Sequence, residues 1–221
     1  MIAGGQSMQF YLLGENAAVL QSRAAPELQI QRRIWALARQ WRASGDYLDI
    51  VPGMNNLSVI FDPERHAGAH LLQRLRHDWD ASAAADFAPR RIAIPVQYGG
   101  AAGPDLAVVA THCGLSEAEV IDAHSGADYL VYFLGFQPGF AYLGGLPPQL
   151  ATPRRSEPRL AVPAGSVGIG GPQTGIYPAA SPGGWQLIGH SSLVLFDPEQ
   201  TPPSLLQPGD LVRFVVEHGD A

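Results

Sequence analysis

Residues 135–145 read GFQPGFAYLGG, and residues 162–178 read VPAGSVGIGGPQTGIYP. Both segments belong to residues 135–185, where 11 glycines and 9 prolines separate short apolar runs. Short apolar runs divided by such turns are typical of an antiparallel barrel or sandwich. The pattern therefore predicts a β-rich domain, with expected strands at 91–96, 129–134, 160–162, 167–169, 185–188, 193–196 and 211–216.

The chain before this region has a different composition, because residues 6–51 contain only three glycines and prolines together. Apolar residues recur at helical spacing from Ile30 to Trp41, and Pro26 and Gly45 suit the start and the end of a helix. A second helix is predicted to begin at Asp62-Pro63. Strands are expected on either side of the first helix, at 9–13, 17–20, 47–51 and 57–61.

A domain boundary is predicted near residues 81–88, an alanine-rich stretch that runs into Pro89. Just beyond it, Ser116 and Glu119 form a capping-box pattern that opens another helix. The order of elements predicts an α+β fold. We expect a small N-terminal α+β domain at residues 1–88 and an antiparallel β-barrel domain at residues 89–221.

The composition excludes several chemistries, because all 14 basic residues are arginines and the chain has no lysine. A Schiff-base lysine, a P-loop, and lysine-linked pyridoxal phosphate or biotin are therefore excluded. The net charge of −6 argues against a nucleic-acid or anionic membrane surface. With the single cysteine Cys113 and no signal-peptide pattern, these features predict a cytoplasmic protein without a membrane span.

Only four residues between 135 and 189 are charged, and three of them are Arg154, Arg155 and Arg159. An aromatic-lined surface with a few fixed cations suits a small carboxylate or phosphate, which the arginine fork can hold through two hydrogen bonds. Polar residues nearby could orient an amide or a hydroxyl: Ser166, Gln173, Thr174 and Tyr177. The alternative is that the glycines and prolines only turn the chain, while the arginines form salt bridges or cap carbonyls.

Two groups of histidines are candidates for chemistry. His124 lies between a predicted helix and a predicted strand, where it could act as a general acid or base. The alternative is a histidine favoured at a helix C-terminus by the macrodipole. His66 and His70 have the i, i+4 spacing of metal ligands, but we expect a solvated helix face there and no metal site.

The run from Gly135 to Trp185 resembles the characteristic region of the PxpB/KipI family of 5-oxoprolinase subunits, also called allophanate hydrolase subunit 1. The same pattern forms half of the carboxyltransferase region of urea carboxylases. Further motifs fit the family: Tyr98-Gly99-Gly100, Gly103-Pro104-Asp105-Leu106, His124-Ser125 and Pro208-Gly209-Asp210. One departure is Gly189-His190-Ser191-Ser192, where the family usually has Gly-Arg-Thr-Pro.

The resemblance implies that the second domain is a cyclophilin-like β-barrel and that the chain works in a complex. Its implied partners are a second cyclophilin-like subunit (KipA/PxpC-like) and a LamB/YcsF-like subunit. The implied reaction converts 5-oxo-L-proline to L-glutamate, with ATP and magnesium used by the complex and no cofactor held by this chain alone. The resemblance implies no nucleic-acid or membrane partner.

Within that scheme, His124, Arg154 and Arg155 are the candidate catalytic residues. The candidate substrate-binding residues are Arg159, Ser166, Gln173, Thr174 and Tyr177. Six further residues are expected in the barrel core or at an interface: Phe136, Pro138, Gly139, Phe140, Tyr142 and Trp185.

Two other functions remain open on the sequence. The first is a protein-binding regulator that inhibits a sensor histidine kinase, as some family members are thought to do. The second is a subunit acting on another small amide, such as urea or allophanate. A prolyl isomerase rests on analogy of fold alone, and fold does not fix function.

Overall fold

The computed structural model of the protein describes residues 8–24, 27–84 and 89–217. The chain divides into two compact units, Met1–Ala88 and Pro89–Ala221, and each has its own hydrophobic core. The helix start expected at Pro26 lies outside the described residues. In the described ranges, no helix combines the length and the apolar character needed to cross a membrane.

The first unit is a four-stranded antiparallel sheet packed against two helices. Its elements are β1 (Met8–Leu13), β2 (Ala17–Ser22), α1 (Leu28–Ser44), β3 (Asp49–Gly53), β4 (Asn56–Ile60) and α2 (Gly68–Ala81). The strands are in the order β1-β2-β4-β3. The apolar face predicted for α1 is buried, and Gly45 ends this helix in the left-handed conformation with φ 70°. The first helix and the α+β class are therefore confirmed.

The predicted start of the second helix is wrong, since α2 begins at Gly68 rather than at Asp62-Pro63. The Asp62 carboxylate accepts the amide of Glu64 (2.9 Å), and the Asp62 carbonyl accepts the amides of Arg65 and His66. These bonds close a local turn, in which an aspartate side chain competes with helical hydrogen bonding.

The second unit contains a closed barrel of seven strands. Its elements are β5 (Arg91–Tyr98), α3 (Leu106–Cys113), α4 (Glu117–Ser125), β6 (Tyr129–Leu134), β7 (Ala141–Gly144), a 3-10 turn (Pro148–Leu150), β8 (Arg159–Val162), β9 (Ser166–Gly170), β10 (Gln173–Ile176), β11 (Ser181–Gly183), β12 (Gln186–His190) and β13 (Leu211–Val216). The barrel order is β10-β7-β6-β13-β5-β12-β9, and β8 and β11 form a separate two-stranded ribbon. The predicted α+β fold with a C-terminal barrel is confirmed.

Two details of the barrel differ from the prediction. Six neighbouring pairs are antiparallel, but β5 and β13, the first and last strands of the unit, pair in parallel. Residues 193–196 form no strand, and only Phe196 makes an isolated bridge, to Ser204. The loop that follows contains Pro198, Pro202 and Pro203, which lack the amide donors that a β-ladder needs.

Helices α3 and α4 pack against each other, α3 on β12 and α4 on β13. The predicted capping box is present: the Ser116 hydroxyl accepts the Glu119 amide (3.2 Å), and the Glu119 carboxylate accepts the Ser116 amide (2.8 Å). At the start of α3, the Asp105 amide donates to the Leu187 carbonyl (2.8 Å). This backbone contact places the buried carboxylate of Asp105 beside β12, the strand that follows Trp185.

Candidate functional site

A cleft of about 140 Å³ opens between the turn that precedes β7 and the β8–β11 ribbon. We call it the aromatic cleft, and its lining residues are Phe136, Phe140, Tyr142, Arg154, Tyr177, Pro182, Gly183, Gly184 and Trp185. Pockets for drug-sized ligands measure roughly 300–1,000 Å³. The aromatic cleft is therefore suited to one small molecule rather than to a nucleotide.

The walls of the aromatic cleft are aromatic rings packed edge to face. Phe140 lies at the centre, with ring centroids 5.1 Å from Tyr142, 5.8 Å from Tyr177 and 5.7 Å from Trp185. Edge-to-face packing at these distances is favourable and holds the rings in fixed positions. The cleft thus presents a preformed apolar surface.

Phe136 projects from a strained turn at the rim of the aromatic cleft. Its φ is 68°, which is uncommon for a residue other than glycine, and the Gln137 amide donates to the Gly135 carbonyl (2.8 Å) across it. The Phe136 side chain is 61% exposed. Non-glycine residues held in this region of φ often mark binding sites, and here the strain sets a large ring beside the cleft.

The adjacent predicted residues Pro138 and Gly139 shape this turn rather than the cleft wall. Gly139 has φ 82°, and a Cβ atom there would lie 2.7 Å from the Phe196 Cβ. Only glycine fits this close approach.

Arg155 and Arg159 are paired with a carboxylate of their own domain. The Asp105 Oδ1 accepts from Arg155 (3.3 Å) and from Arg159 (2.8 Å), and its Oδ2 accepts the Leu187 amide (2.7 Å). Asp105 is only 3% exposed. Because a buried carboxylate requires compensating positive charge, these two arginines stabilise the fold here.

Arg154 has a different environment from its two neighbours. It is exposed at the rim of the aromatic cleft, with its guanidinium carbon 6.0 Å from the Trp185 ring centroid. Among the residues that the structure describes, no acidic side chain forms an ion pair with Arg154. Its charge is available to a ligand carboxylate in the cleft.

Tyr177 contributes a hydroxyl to the aromatic cleft. Burial raises the pKa of Tyr177 above its ordinary value. A hydrogen bond to the Trp185 backbone and the charges of Arg154 and Arg159 lower this pKa, but burial has the larger effect. The phenol therefore stays protonated at neutral pH. A Cβ atom on Gly183 would lie 2.5 Å from this hydroxyl, so a glycine is required beside it.

His124 lies in the barrel core, with 0% of its surface exposed. Its Nδ1 is 2.8 Å from the Tyr98 hydroxyl and its Nε2 is 2.9 Å from the Thr174 hydroxyl, while its ring stacks on Phe214. The Thr174 hydroxyl donates to the Gly168 carbonyl (3.0 Å), so the network is satisfied when Nε2 carries the proton and Nδ1 accepts from Tyr98.

Desolvation lowers the pKa of His124 to about 3, which keeps the ring neutral. Both of its nitrogens are occupied and neither faces the aromatic cleft. The geometry therefore assigns His124 and Thr174 to the core, rather than to the catalytic and substrate-binding roles considered from the sequence.

The remaining predicted residues lie away from the aromatic cleft. Ser166 is buried in β9, and its carbonyl accepts the Tyr177 amide (3.0 Å). Gln173 is half-buried at the start of β10. His190, the departure from the family pattern, bonds the Ala164 carbonyl through Nε2 (2.9 Å). Of the eight residues predicted for catalysis or substrate binding, the cleft brings together only Arg154 and Tyr177.

Metal ligation has no support among the described residues, where no group of three or more histidine, cysteine, aspartate or glutamate side chains could hold an ion. His66 and His70 line a small pocket of the first unit with Arg65 and Arg74, a surrounding that disfavours a cation.

Comparison with known proteins identifies the family of this chain. The chain matches the family described as "Carboxyltransferase domain, subdomain C and D" over residues 8–206. It is 57% identical over 210 residues to a 5-oxoprolinase subunit of Escherichia coli O157:H7, covering 95% of this chain and 96% of that protein. It is 49% identical over 216 residues to the protein of the same name in Haemophilus influenzae, covering 95% and 98%.

Solved structures show the same fold. TTHA0988 is 38% identical with a TM-score of 0.81, covering 92% of this chain, and our chain spans 40% of that longer chain. The Kluyveromyces lactis urea carboxylase has a TM-score of 0.74 at 21% identity, covering 96% of this chain and 22% of the enzyme, a likeness of fold alone. The match over residues 8–206 and these identities establish that the chain belongs to the carboxyltransferase subdomain C and D family.

Proposed function

We propose that this chain is a subunit of an ATP-dependent 5-oxoprolinase complex, which converts 5-oxo-L-proline to L-glutamate. The observation that carries the proposal is the aromatic cleft, where Arg154 stands without an acidic partner among the described residues, beside a surface of packed rings. The names of the relatives from Escherichia coli and Haemophilus influenzae support the same reaction.

The substrate is a small five-membered lactam ring that carries one carboxylate. In the proposed complex, the apolar edge of this ring lies against Phe140 and Trp185, and the carboxylate accepts hydrogen bonds from Arg154. The Tyr177 hydroxyl remains protonated and can donate to a carbonyl oxygen. The cleft thus matches the substrate in size, in charge and in polarity.

The proposed reaction uses ATP to activate the lactam. Transfer of the γ-phosphoryl group to the lactam oxygen makes that oxygen a leaving group, and water then adds to the same carbon. The carbon–nitrogen bond breaks and the nitrogen takes up a proton, which leaves a γ-glutamyl phosphate. A second water hydrolyses this acyl phosphate, so that the products are L-glutamate, ADP and phosphate. The contribution of this chain is to position the lactam and to balance its negative charge.

The proposal includes partner subunits, a second cyclophilin-like chain and a LamB/YcsF-like chain. Large apolar side chains remain exposed around the aromatic cleft: Phe136 at 61% and Leu160, on the β8–β11 ribbon, at 92%. An apolar rim around a ligand site favours a covering protein surface. We expect the second cyclophilin-like subunit to bind there and to close the cleft.

The test is the assembled complex with Arg154→Gln. A hydrogen bond to a charged group contributes about 1.5–3 kcal/mol, and the exposure of Arg154 places this contact at the low end. We therefore expect the KM for 5-oxoproline to rise about tenfold, since about 1.4 kcal/mol corresponds to a factor of ten. The exposed arginine of the first unit, Arg39, provides the control Arg39→Gln.

The control variant should keep the wild-type KM. An unchanged KM in Arg154→Gln would remove Arg154 from the substrate site. A wild-type complex without 5-oxoproline-dependent ATP hydrolysis would overturn the proposed function itself.

A further inference from the structure

A second pocket, of about 310 Å³, lies next to the aromatic cleft. We call it the arginine pocket, and its lining residues are Val108, His112, Thr152, Pro153, Arg154, Arg155, Ser156 and Gln186. Arg154 is the residue that lines both pockets. The two sites are therefore neighbours that share one cation.

The charge of the arginine pocket is positive. Arg155 and Arg159 share the single carboxylate of Asp105, so that this trio carries one net positive charge. Arg154 adds a second. The nearby Glu157 is exposed, and the Arg155 Nε bonds its backbone carbonyl (3.3 Å) rather than its carboxylate. A positive pocket in a chain of net charge −6 is suited to an anionic ligand.

The polar lining offers a further point of attachment. Gln186 is only 7% exposed, and its amide nitrogen donates to the Pro153 carbonyl (3.0 Å). Its amide oxygen is buried without a hydrogen-bond partner among the described residues. Buried polar atoms in folded proteins are ordinarily paired, and this oxygen, which is closed to solvent, becomes available to a ligand hydroxyl only when the side chain turns towards the pocket.

We propose that the arginine pocket holds the phosphate chain of the nucleotide once the complex has assembled. This inference rests on the proposed function and assigns the nucleotide contact that it requires. Arg154 then lies between the two substrates, in contact with the lactam in the aromatic cleft and with the terminal phosphate in the arginine pocket. A cation in that position stabilises the charge that develops when a phosphoryl group is transferred.

The experiment introduces a negative charge into the arginine pocket without altering the aromatic cleft. Val108 lines the arginine pocket but not the cleft and is 51% exposed, so Val108→Glu should fold, and Val108→Gln is its neutral control at the same site. Ser156→Glu and Ser156→Gln form a second pair on the exposed loop, in case the first pair fails to assemble. Each variant is studied in the assembled complex.

Two measurements are made on each variant. Calorimetry gives the Kd for magnesium-ATP, for tripolyphosphate and for inorganic phosphate, and steady-state kinetics give the KM for ATP and for 5-oxoproline. A carboxylate a few ångströms from a phosphate chain repels it by about 1 kcal/mol or more, even at high local dielectric constant. We expect Val108→Glu to bind both phosphate ligands at least fivefold more weakly than Val108→Gln, whereas the KM for 5-oxoproline is the same in the two variants within twofold.

The outcomes separate the two proposals. Equal affinities of the glutamate and glutamine variants for magnesium-ATP overturn the arginine pocket, even where 5-oxoproline-dependent ATP hydrolysis persists and supports the proposed function. Inorganic phosphate binding as tightly as tripolyphosphate also overturns it, because the pocket would then be a single-phosphate site. Charge-sensitive ATP binding without any response to 5-oxoproline would support the arginine pocket and overturn the lactam substrate.

Discussion

Replacement of His124 by glutamine should change how the stability of the barrel depends on pH. In the folded chain, burial lowers the pKa of His124 to about 3, from an ordinary value of 6.5. In the unfolded chain the imidazole is free to take up a proton, so acidification favours the unfolded state. The stabilising contribution of neutral His124 is therefore complete above about pH 6.5 and is lost as the pH falls from there towards 3.

The size of the effect follows from the difference between these two pKa values. At about 1.4 kcal/mol per pKa unit, the whole loss is on the order of 5 kcal/mol and is complete only below pH 3. Between pH 8 and pH 5, the unfolded imidazole becomes protonated while the folded one stays neutral, which costs about 2 kcal/mol. Glutamine can accept from Tyr98 and donate to Thr174 without titrating, so His124→Gln should lack this loss.

The assay is urea unfolding at pH 8 and at pH 5. The readout is hydrogen exchange of peptides from β6 and β13, so that the second unit is observed directly. We expect the variant to be less stable at pH 8, because glutamine packs less well against Phe214, but to lose about 2 kcal/mol less than wild type on acidification. His77→Gln, on the exposed surface of the first unit, serves as the control. Equal pH dependence of His124→Gln and wild type would refute a buried neutral histidine.

Two further predictions concern stability and assembly. Asp105→Asn keeps the shape of the side chain but removes the charge that pairs with Arg155 and Arg159. The two arginine side chains are 36% and 23% exposed and can be partly rehydrated, so we expect the free energy of unfolding in urea at neutral pH to fall by about 1–3 kcal/mol. An unchanged free energy of unfolding would contradict the role of this carboxylate. Leu160→Glu should leave the melting temperature of the isolated chain unchanged, since the side chain is 92% exposed, but should reduce co-purification of the second cyclophilin-like chain about tenfold. Leu48→Glu, at a site 67% exposed in the first unit, is the matched control, and equal recovery of the partner with both variants would argue against the rim as an interface.

The sequence predicted those elements whose local signals and tertiary packing agree. Helical spacing ending at Gly45 located α1, and the capping box at Ser116 located α4, because both signals depend on neighbours within a few residues. The strands β7, β10 and β11 were not predicted, since each is only three or four residues long and contains glycine or proline. Their pairing partners, rather than their own composition, make them strands.

The candidate site was less predictable than the fold, because its decisive contacts are distant in sequence. Asp105 lies 50 residues before Arg155 and 54 before Arg159, and no local pattern links them. The only available signal was the position of Asp105 in the Gly103–Leu106 motif. The position of His124 was ambiguous for a different reason. A side chain at a junction between helix and strand can face either a cleft or the core, and only the closure of the barrel around Phe214 decides between the two.

The division of roles among the three arginines bears on the proposed requirement for partner chains. In the sequence, Arg154, Arg155 and Arg159 are three equivalent cations. In the fold, the carboxylate of Asp105 balances the charge of one of them, so that at most two net positive charges remain at the arginine pocket. A nucleotide triphosphate carries more negative charge than that. If the arginine pocket holds a nucleotide as proposed, we expect the remaining compensation from magnesium bound to the nucleotide and from the proposed partner chains. The charge balance of this one pocket therefore predicts that tight nucleotide binding, as well as turnover, appears only when the subunits are together.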